Sequence, residues 1–419
     1  MDDRTTCRIE PGLPKHRISL TAILIETVSV QALGTMSVLI VSALAPAVAA
    51  SLGVPTLFIG YQITVIYLAA MSASLIAGAL VARHGGCRIG QVAMLLDAIG
   101  CLLVSVPSMA SMALGSLIIG TAYGLIIPAS SELLIRHAPP HRRSLIFSIK
   151  QAGVPVGGIA AGIFGPWLAL RFGWHAALWS VSAACLLVMV GAQRSRDELD
   201  RPATRHRVPV AMPWASLRLV FGNLPLRWLA LSSFCFSAVQ LSVVAFLVTL
   251  LVEERGISLA TAGLVLAAVQ LSGAIGRVLW GAVADAFDIG LSVLAALAFT
   301  MMAASMLVAF ADGLPIAVLV GMFLVLGLTA NSWNGVYLSE VARLSPSHAV
   351  GATTGAAMFF TFTGVAVGPS MFSQLHDVFG SYQGTYAMIA AFSALAACFI
   401  LLVKRILAAR SGAGSAPKL

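Results

Sequence analysis

Four ionisable residues stand inside long apolar runs of this chain: Glu26, Asp97, Lys150 and Arg277. Charge is costly in such surroundings, so these residues are functional candidates by default. Arg277 interrupts "SGAIGRVLWGAVADAFD", residues 272–288. A guanidinium fork suits a carboxylate bidentately, and the Lys150 ammonium would add a point charge. At a shared depth the two cations repel unless water or an anion lies between them. Arg277 and Lys150 are therefore candidate ligands of an anion. The competing readings are structural pairing for Arg277 and, for Lys150, a side chain that reaches back to the polar edge. Glu26 is the candidate proton carrier, with a fixed salt bridge to Arg277 or Lys150 as its alternative.

Uncharged polar residues extend the set. Gln31, Tyr123, Gln151, Gln240, Gln270, Asn331, Asn334 and Tyr337 also fall in apolar segments. Singly, each is better read as an interhelical hydrogen bond; together they suggest a wet cavity. Asn331 and Asn334, at i and i+3, would share a helix face. The six cysteines have no metal-ligand spacing, and the eight histidines lie near helix ends or in loops. No matched acid–base pair, nucleophile elbow or phosphate-binding loop is present either. An enzyme, an ATP-driven pump, a metal and other cofactors are therefore not expected.

These residues need helices that cross a bilayer. Of 419 residues, 59% are hydrophobic and only 10% charged, too little charge to cover a soluble domain. Twelve apolar segments are long enough to span; the first covers 20–49, the fifth 145–170 and the tenth 315–339. The first has no small-residue cleavage site and reads as a spanning helix, not a signal peptide. The net charge of +9 reports topology and not nucleic acid. Basic residues gather in alternate loops and at both ends, whereas the remaining loops hold only Arg171 and Arg255. That bias predicts both termini in the cytoplasm.

The pattern breaks once, at the charged, proline-bearing stretch 194–226. The predicted organisation is an amino-terminal tail (1–19), a six-helix bundle (20–193), a cytoplasmic linker (194–226), a second six-helix bundle (227–403) and a tail (404–419). The halves repeat one another. "GALVARHGG" from Gly78 matches "GAVADAFDIG" from Gly281, Glu132 and Arg136 match Glu340 and Arg343, and Gly165-Pro166 matches Gly368-Pro369. Internal duplication of this kind places a substrate site between the repeats.

With these features the chain resembles the major facilitator superfamily over nearly its whole length. The marker is the loop after the second helix, usually Gly-x-x-x-Asp-Arg-x-Gly-Arg-Arg. Here Gly78, Arg83, Gly85 and Arg88 carry the likeness, and Ala82 stands at the acidic position. The second copy keeps Gly281 and the acid, Asp285, but lacks the arginines. The resemblance implies an all-α membrane protein of twelve transmembrane helices in two pseudo-symmetric six-helix bundles. It also implies that helices five and eight face each other, that helix one lines the cavity and that helix three is peripheral. Asp97 is then read as a helix-packing hydrogen bond. In the family the loop locks the inward-closed state, so Asp285 and Glu132 are expected to carry that role, with Arg343 as partner for Asp285 and Arg83 or Arg136 for Glu132. "GRVLWGAVAD" is similar to monocarboxylate and oxalate–formate carriers, and "SIKQAGVPVGG" to cyanate-type bacterial carriers.

The expected function is a secondary transporter of a small, monocarboxylate-like organic anion, working by alternating access and driven by protons or exchange. The alternative is a drug–proton antiporter, which would favour an acidic, aromatic-rich cavity; here the deep charges lean cationic and aromatics are 8%. A non-transporting sensor is the third reading. The expected setting is a monomer in a bacterial inner membrane, with a small molecule, protons and lipid as its partners.

Overall fold

The computed structural model describes residues 19–54, 57–200, 213–347 and 349–413. Most of the amino-terminal tail, the centre of the linker (201–212) and residues 414–419 lie outside the described residues, and Arg4, Arg8, Lys15, Arg17, Arg201, Arg205, Arg207 and Lys418 lie there with them.

The described residues form α-helices, one short 3-10 turn and no strand. In the first half these are α1 (Leu20–Ala43), α2 (Ala45–Leu52), α3 (Leu57–His84), α4 (Gly86–Val104), α5 (Met109–His137), α6 (Arg143–Gln151), α7 (Gly153–Phe172) and α8 (Trp174–Leu199). A connecting helix follows, α9 (Pro213–Gly222). The second half holds α10 (Leu224–Glu253), α11 (Leu259–Phe287), α12 (Gly290–Ala309), α13 (Ile316–Ala330), α14 (Asn334–Leu344), α15 (Val350–Phe379) and α16 (Tyr382–Ala413). Taking α6 with α7 and α13 with α14, 12 helices are long and apolar enough to cross a membrane. Helices satisfy their own backbone groups, which lipid cannot. Leu170, Phe172, Leu187 and Phe310 point outward from the bundle surface, as a lipid-facing belt requires. An even number of crossings returns the chain to its starting side; that side is called the near face below, and the opposite one the far face.

Within the first half α4 packs on α5 and α8, α3 on α5, and α1 on α7; within the second, α10 packs on α15 and α16, and α12 on α16. The halves meet along α3–α15, α6–α11 and α6–α14. Two motif glycines permit this approach. A side chain at Gly78 would strike the Ala352 backbone on α15, and one at Gly281 would strike Ser148 on α6. Small residues let helix backbones come this close.

Three boundaries differ from the sequence expectation. The first apolar segment is two helices, since α1 ends at Ala43 and α2 begins at Ala45. The fifth segment breaks at Ala152, between α6 and α7. The tenth breaks at Asn331–Trp333, where Ser332 Oγ donates back to the Leu328 carbonyl at 2.7 Å and across to the Gly273 carbonyl at 3.1 Å. Back-bonding of that kind bends a helix. The linker is also shorter than expected, because α8 continues to Leu199 and α9 occupies part of it.

Candidate functional site

The break between α6 and α7 builds the centre of the molecule. Pro155 has no N–H, so the carbonyl four residues earlier, that of Gln151, lacks its helical donor. Gly153 and Gly157 bring α7 against the α1 backbone at Val28 and Ala32, which sets the end of α6 beside Gln31. Lys150 Nζ donates to Gln31 Oε1 at 2.7 Å and to Gln151 Oε1 at 3.0 Å. From the other half, Arg277 Nη1 donates to the freed Gln151 carbonyl at 2.8 Å. Two cations thus hold the two oxygens of one glutamine.

Both are deeply buried, Lys150 at 1% and Arg277 at 3% exposure. Neither forms a salt bridge with any described carboxylate, and the buried Arg277 Nε has no hydrogen-bond partner. The charge is satisfied by neutral dipoles alone, which leaves capacity for an anion.

The remaining polar residues divide between two places. Asn331 Nδ2 donates to Gln270 Oε1 at 2.8 Å, while its own buried Oδ1 has no partner. Gln240 Oε1 accepts from Trp333 Nε1 at 3.1 Å and Asn334 Nδ2 at 3.2 Å. The two asparagines therefore do not share a face: the break at 331–333 turns one toward α11 and the other toward α10. Tyr337 is fully buried against Trp333, with Ser233 and Thr361 beside its hydroxyl. Tyr123 joins Tyr67 and Phe362 in a three-ring cluster with centroids 6.0–6.2 Å apart. Phe362 belongs to the other half. Tyr67 and Phe362 were not among the expected residues; their signal in the sequence, an aromatic in an apolar helix, is not distinctive.

Glu26 is placed elsewhere. Its Oε2 accepts from Ser195 Oγ at 2.7 Å and its Oε1 from Cys87 Sγ at 3.3 Å. The salt bridge to Arg277 or Lys150 is not formed, because Glu26 projects from α1 toward α4 and α8, away from the seam between the halves. It borders a cavity of about 20 Å³ shared with Thr27, Val30, Gly86, Cys87 and Ser130, room for a single water. Asp97 is buried with Ser37 of α1 beside its carboxyl, and neither oxygen has a hydrogen bond of good geometry.

The near face is closed by carboxylates set on helix amino termini. Asp285 accepts from the backbone N–H groups of Ser144 at 3.0 Å and Leu145 at 2.7 Å, the first turn of α6 in the opposite half. Glu132 Oε2 accepts from Gly351 N at 3.1 Å, in the first turn of α15, while its Oε1 pairs with Arg136 at 2.6 Å. Within the first half, Asp200 accepts from Cys87 N at 3.0 Å and Arg88 N at 2.8 Å, the start of α4. Helix amino termini favour such charges through unpaired N–H groups and the macrodipole. Arg343 pairs with Glu340 at 2.5 Å and not with Asp285, since Asp285 is already turned into the α6 terminus. Arg83 is not the partner of Glu132; Arg136 is. Ser144 and Ser339 add a 3.1 Å hydroxyl contact across the seam. By contrast α1 and α10 have no extensive packing between them among the described residues.

The model of the Major Facilitator Superfamily matches residues 27–369. The chain belongs to that superfamily. It is 28% identical over 257 residues to the gallate transporter of Pseudomonas putida, an alignment covering 51% of this chain and 56% of that one. It thus spans about half the length of this curated relative. Among solved structures it is similar to the E. coli fucose:proton symporter, with TM-score 0.74, 18% identity and coverage of 92% of this chain and 99% of that one. A human organic anion transporter gives TM-score 0.74 and 15% identity, with 92% and 100% covered. At these identities the solved structures show the fold alone. As a superfamily member the chain is a transporter and not an enzyme, and Gly78, Gly281 and Asp285 of its repeated loop all lie at contacts between the halves.

Proposed function

We propose that this transporter carries a small organic anion of the monocarboxylate type, bound between Lys150 and Arg277 and moved by alternating access. The observation that carries the reading is the pair of buried cations, contributed by opposite halves, with no carboxylate of the described residues between them. An Arg–carboxylate fork is directional and strong in a site screened from water. A carboxylate entering the site would meet the free Arg277 Nε and the Lys150 ammonium. Tyr123, Tyr67 and Phe362 offer ring faces to an aromatic body, and the relative of 28% identity is a carrier of gallate, an aromatic carboxylate. Gln151, Gln240, Gln270, Asn331 and Asn334 supply neutral hydrogen-bonding groups around the seam. Transport is proton-coupled or exchange-driven, and the coupling carboxyl belongs to the first half. The near face is read as the cytoplasmic face, which the basic loops support, of a bacterial inner membrane, and the chain as a monomer.

The test is thermal stability of the purified protein in detergent with gallate, benzoate and lactate, against sugars and cationic drugs as controls. A ligand that binds the folded state raises the melting temperature by mass action. Stabilisation by carboxylates alone is expected. Stabilisation by cationic drugs alone would overturn the anion reading and favour drug–proton antiport.

A further inference from the structure

Asp97 lies midway along α4 at 0% exposure, with neither carboxyl oxygen hydrogen-bonded. Ser37 on α1 lies within hydrogen-bonding reach of the carboxyl, although its hydroxyl donates to the Leu33 carbonyl at 3.0 Å. The titratable groups facing the carboxyl are Tyr123 on α5, Cys185 on α8 and Cys101 on its own helix. No described cation pairs with it. An ionised carboxylate with no counter-charge is costly to bury, and protonation removes that cost. A purely structural position could be filled by a leucine or an alanine, as its neighbours Leu96 and Ala98 are.

Position adds a second observation. A methyl built on Gly34 of α1 would lie 3.5 Å from Asp97 Oδ2 and 3.6 Å from Tyr123 Cδ2, so the carboxyl and the phenol ring are neighbours across that glycine. Tyr123 in turn lies beside Thr35 and Gln31. Gln31 Nε2 reaches Thr35 Oγ1 at 3.5 Å, and Gln31 Oε1 takes the Lys150 ammonium. A line of polar groups therefore runs from the cation pair to Tyr123, whose ring lies beside Asp97. Glu26 has no such link, because both of its oxygens are occupied by Ser195 and Cys87.

We propose that Asp97, and not Glu26, is the carboxyl that carries the coupled proton, bound as the neutral acid in the near-closed conformation and released when the near face opens. The step is a simple protonation: an O–H bond forms on one Asp97 oxygen from a solvent proton, and the same bond breaks on release. The proposal rests on the reading of the chain as a proton-coupled carrier, and it concerns the proton whatever the cargo proves to be.

Infrared difference spectroscopy tests it without a substrate. Wild type at neutral pH should show a deuterium-sensitive C=O stretch of a buried protonated carboxyl, and Asp97→Asn should lack it while melting at an unchanged or higher temperature. Opening the near face with Asp285→Ala should diminish the band and release protons. A band missing from wild type, or one that persists equally in Asp97→Asn or Asp285→Ala, would overturn the proposal. In proteoliposomes, accumulation of labelled gallate driven by a pH gradient should fall to the equilibration level in Asp97→Asn. If the band behaves as described while no carboxylate stabilises or crosses with the protein, the anion reading fails and the proton site stands.

Discussion

Removing the Asp285 carboxylate should release the near face. Asp285 takes two backbone N–H groups of α6, at 3.0 and 2.7 Å, and so ties the two halves together. A hydrogen bond to a charged group is worth about 1.5–3 kcal/mol. Asp285 is half-buried, so solvent screening brings the pair down to a total of about 3 kcal/mol. At 1.4 kcal/mol per decade, Asp285→Ala should move the closed-to-open equilibrium about a hundredfold. A near-open fraction of about one in a hundred would become about one in two. Asp285→Asn keeps an acceptor and loses the charge, so its shift should be nearer to tenfold, about 1.4 kcal/mol. The readout is the spin-label distance between His137 and Ser347, exposed near-face positions in opposite halves. A longer-distance population should grow in the order wild type, Asn, Ala. A well-folded Asp285→Ala protein with the wild-type distance distribution would refute the reasoning.

Three further outcomes are expected. Pro155→Ala returns an N–H to the Gln151 carbonyl, in competition with Arg277; the protein should melt higher, by roughly the 3 kcal/mol of an interior proline at most, yet bind gallate differently by calorimetry, and an unchanged affinity would count against the role of the freed carbonyl. Arg277→Lys keeps the charge and loses the fork, which should weaken carboxylate binding by about 1.5–3 kcal/mol, or ten- to a hundredfold; wild-type affinity in a stable Arg277→Lys protein would discard the anion site. Asp200 is raised above its ordinary 3.8, chiefly by burial and against the opposing bonds from Arg88 and Cys87. Its native form therefore binds a proton more readily than the unfolded chain does, and its contribution to stability falls as pH rises above about 3.8 through the shifted value. Wild type should gain melting temperature over Asp200→Asn as the pH is lowered into that window, and a gap that widens in the opposite direction would be contrary.

Hydropathy alone makes the twelve helices legible, because a bilayer demands long apolar runs and nothing else in the chain competes with them. The repeated landmarks likewise locate both halves: Gly78 and Gly281 are small because another helix backbone presses on each. Partners are less legible than elements. Glu26, Lys150 and Arg277 have similar depths on their helices, and depth cannot tell which way a side chain points around the axis; Glu26 points outward to α8. The expected arginine partner of Asp285 failed for a related reason. A helix amino terminus is an attractive site that carries no charged letter in the sequence, so Ser144 and Leu145 are invisible to a search for cations. Asp200 is hard to single out because it reads as one more charge in a polar linker. The proline signal was available: Pro155 four residues beyond Gln151 marks the carbonyl that Arg277 finds.

Helix α6 is held to α11 at both of its ends, by Asp285 on its first turn and by Arg277 on its last carbonyl. These two ties are about 12 Å apart at 1.5 Å per residue, and they respond to different things. Asp285 answers to the near-face aqueous edge, whereas Arg277 answers to whatever lies in the seam. A carboxylate offers the guanidinium two charged acceptors in place of one neutral carbonyl, so its arrival should draw Arg277 off Gln151 and leave α6 fastened at one end only. The lost bond, from a charged donor to a buried acceptor, is worth about 1.5–3 kcal/mol, enough to bring the near-closed state within reach of opening. Binding and gating would then be one event on one helix. Gallate added to the spin-labelled protein should therefore lengthen the His137–Ser347 distance, and Arg277→Lys should blunt that response even at saturating ligand. Gallate that raises the melting temperature while leaving the distance distribution unchanged would separate the two events and rule out this coupling.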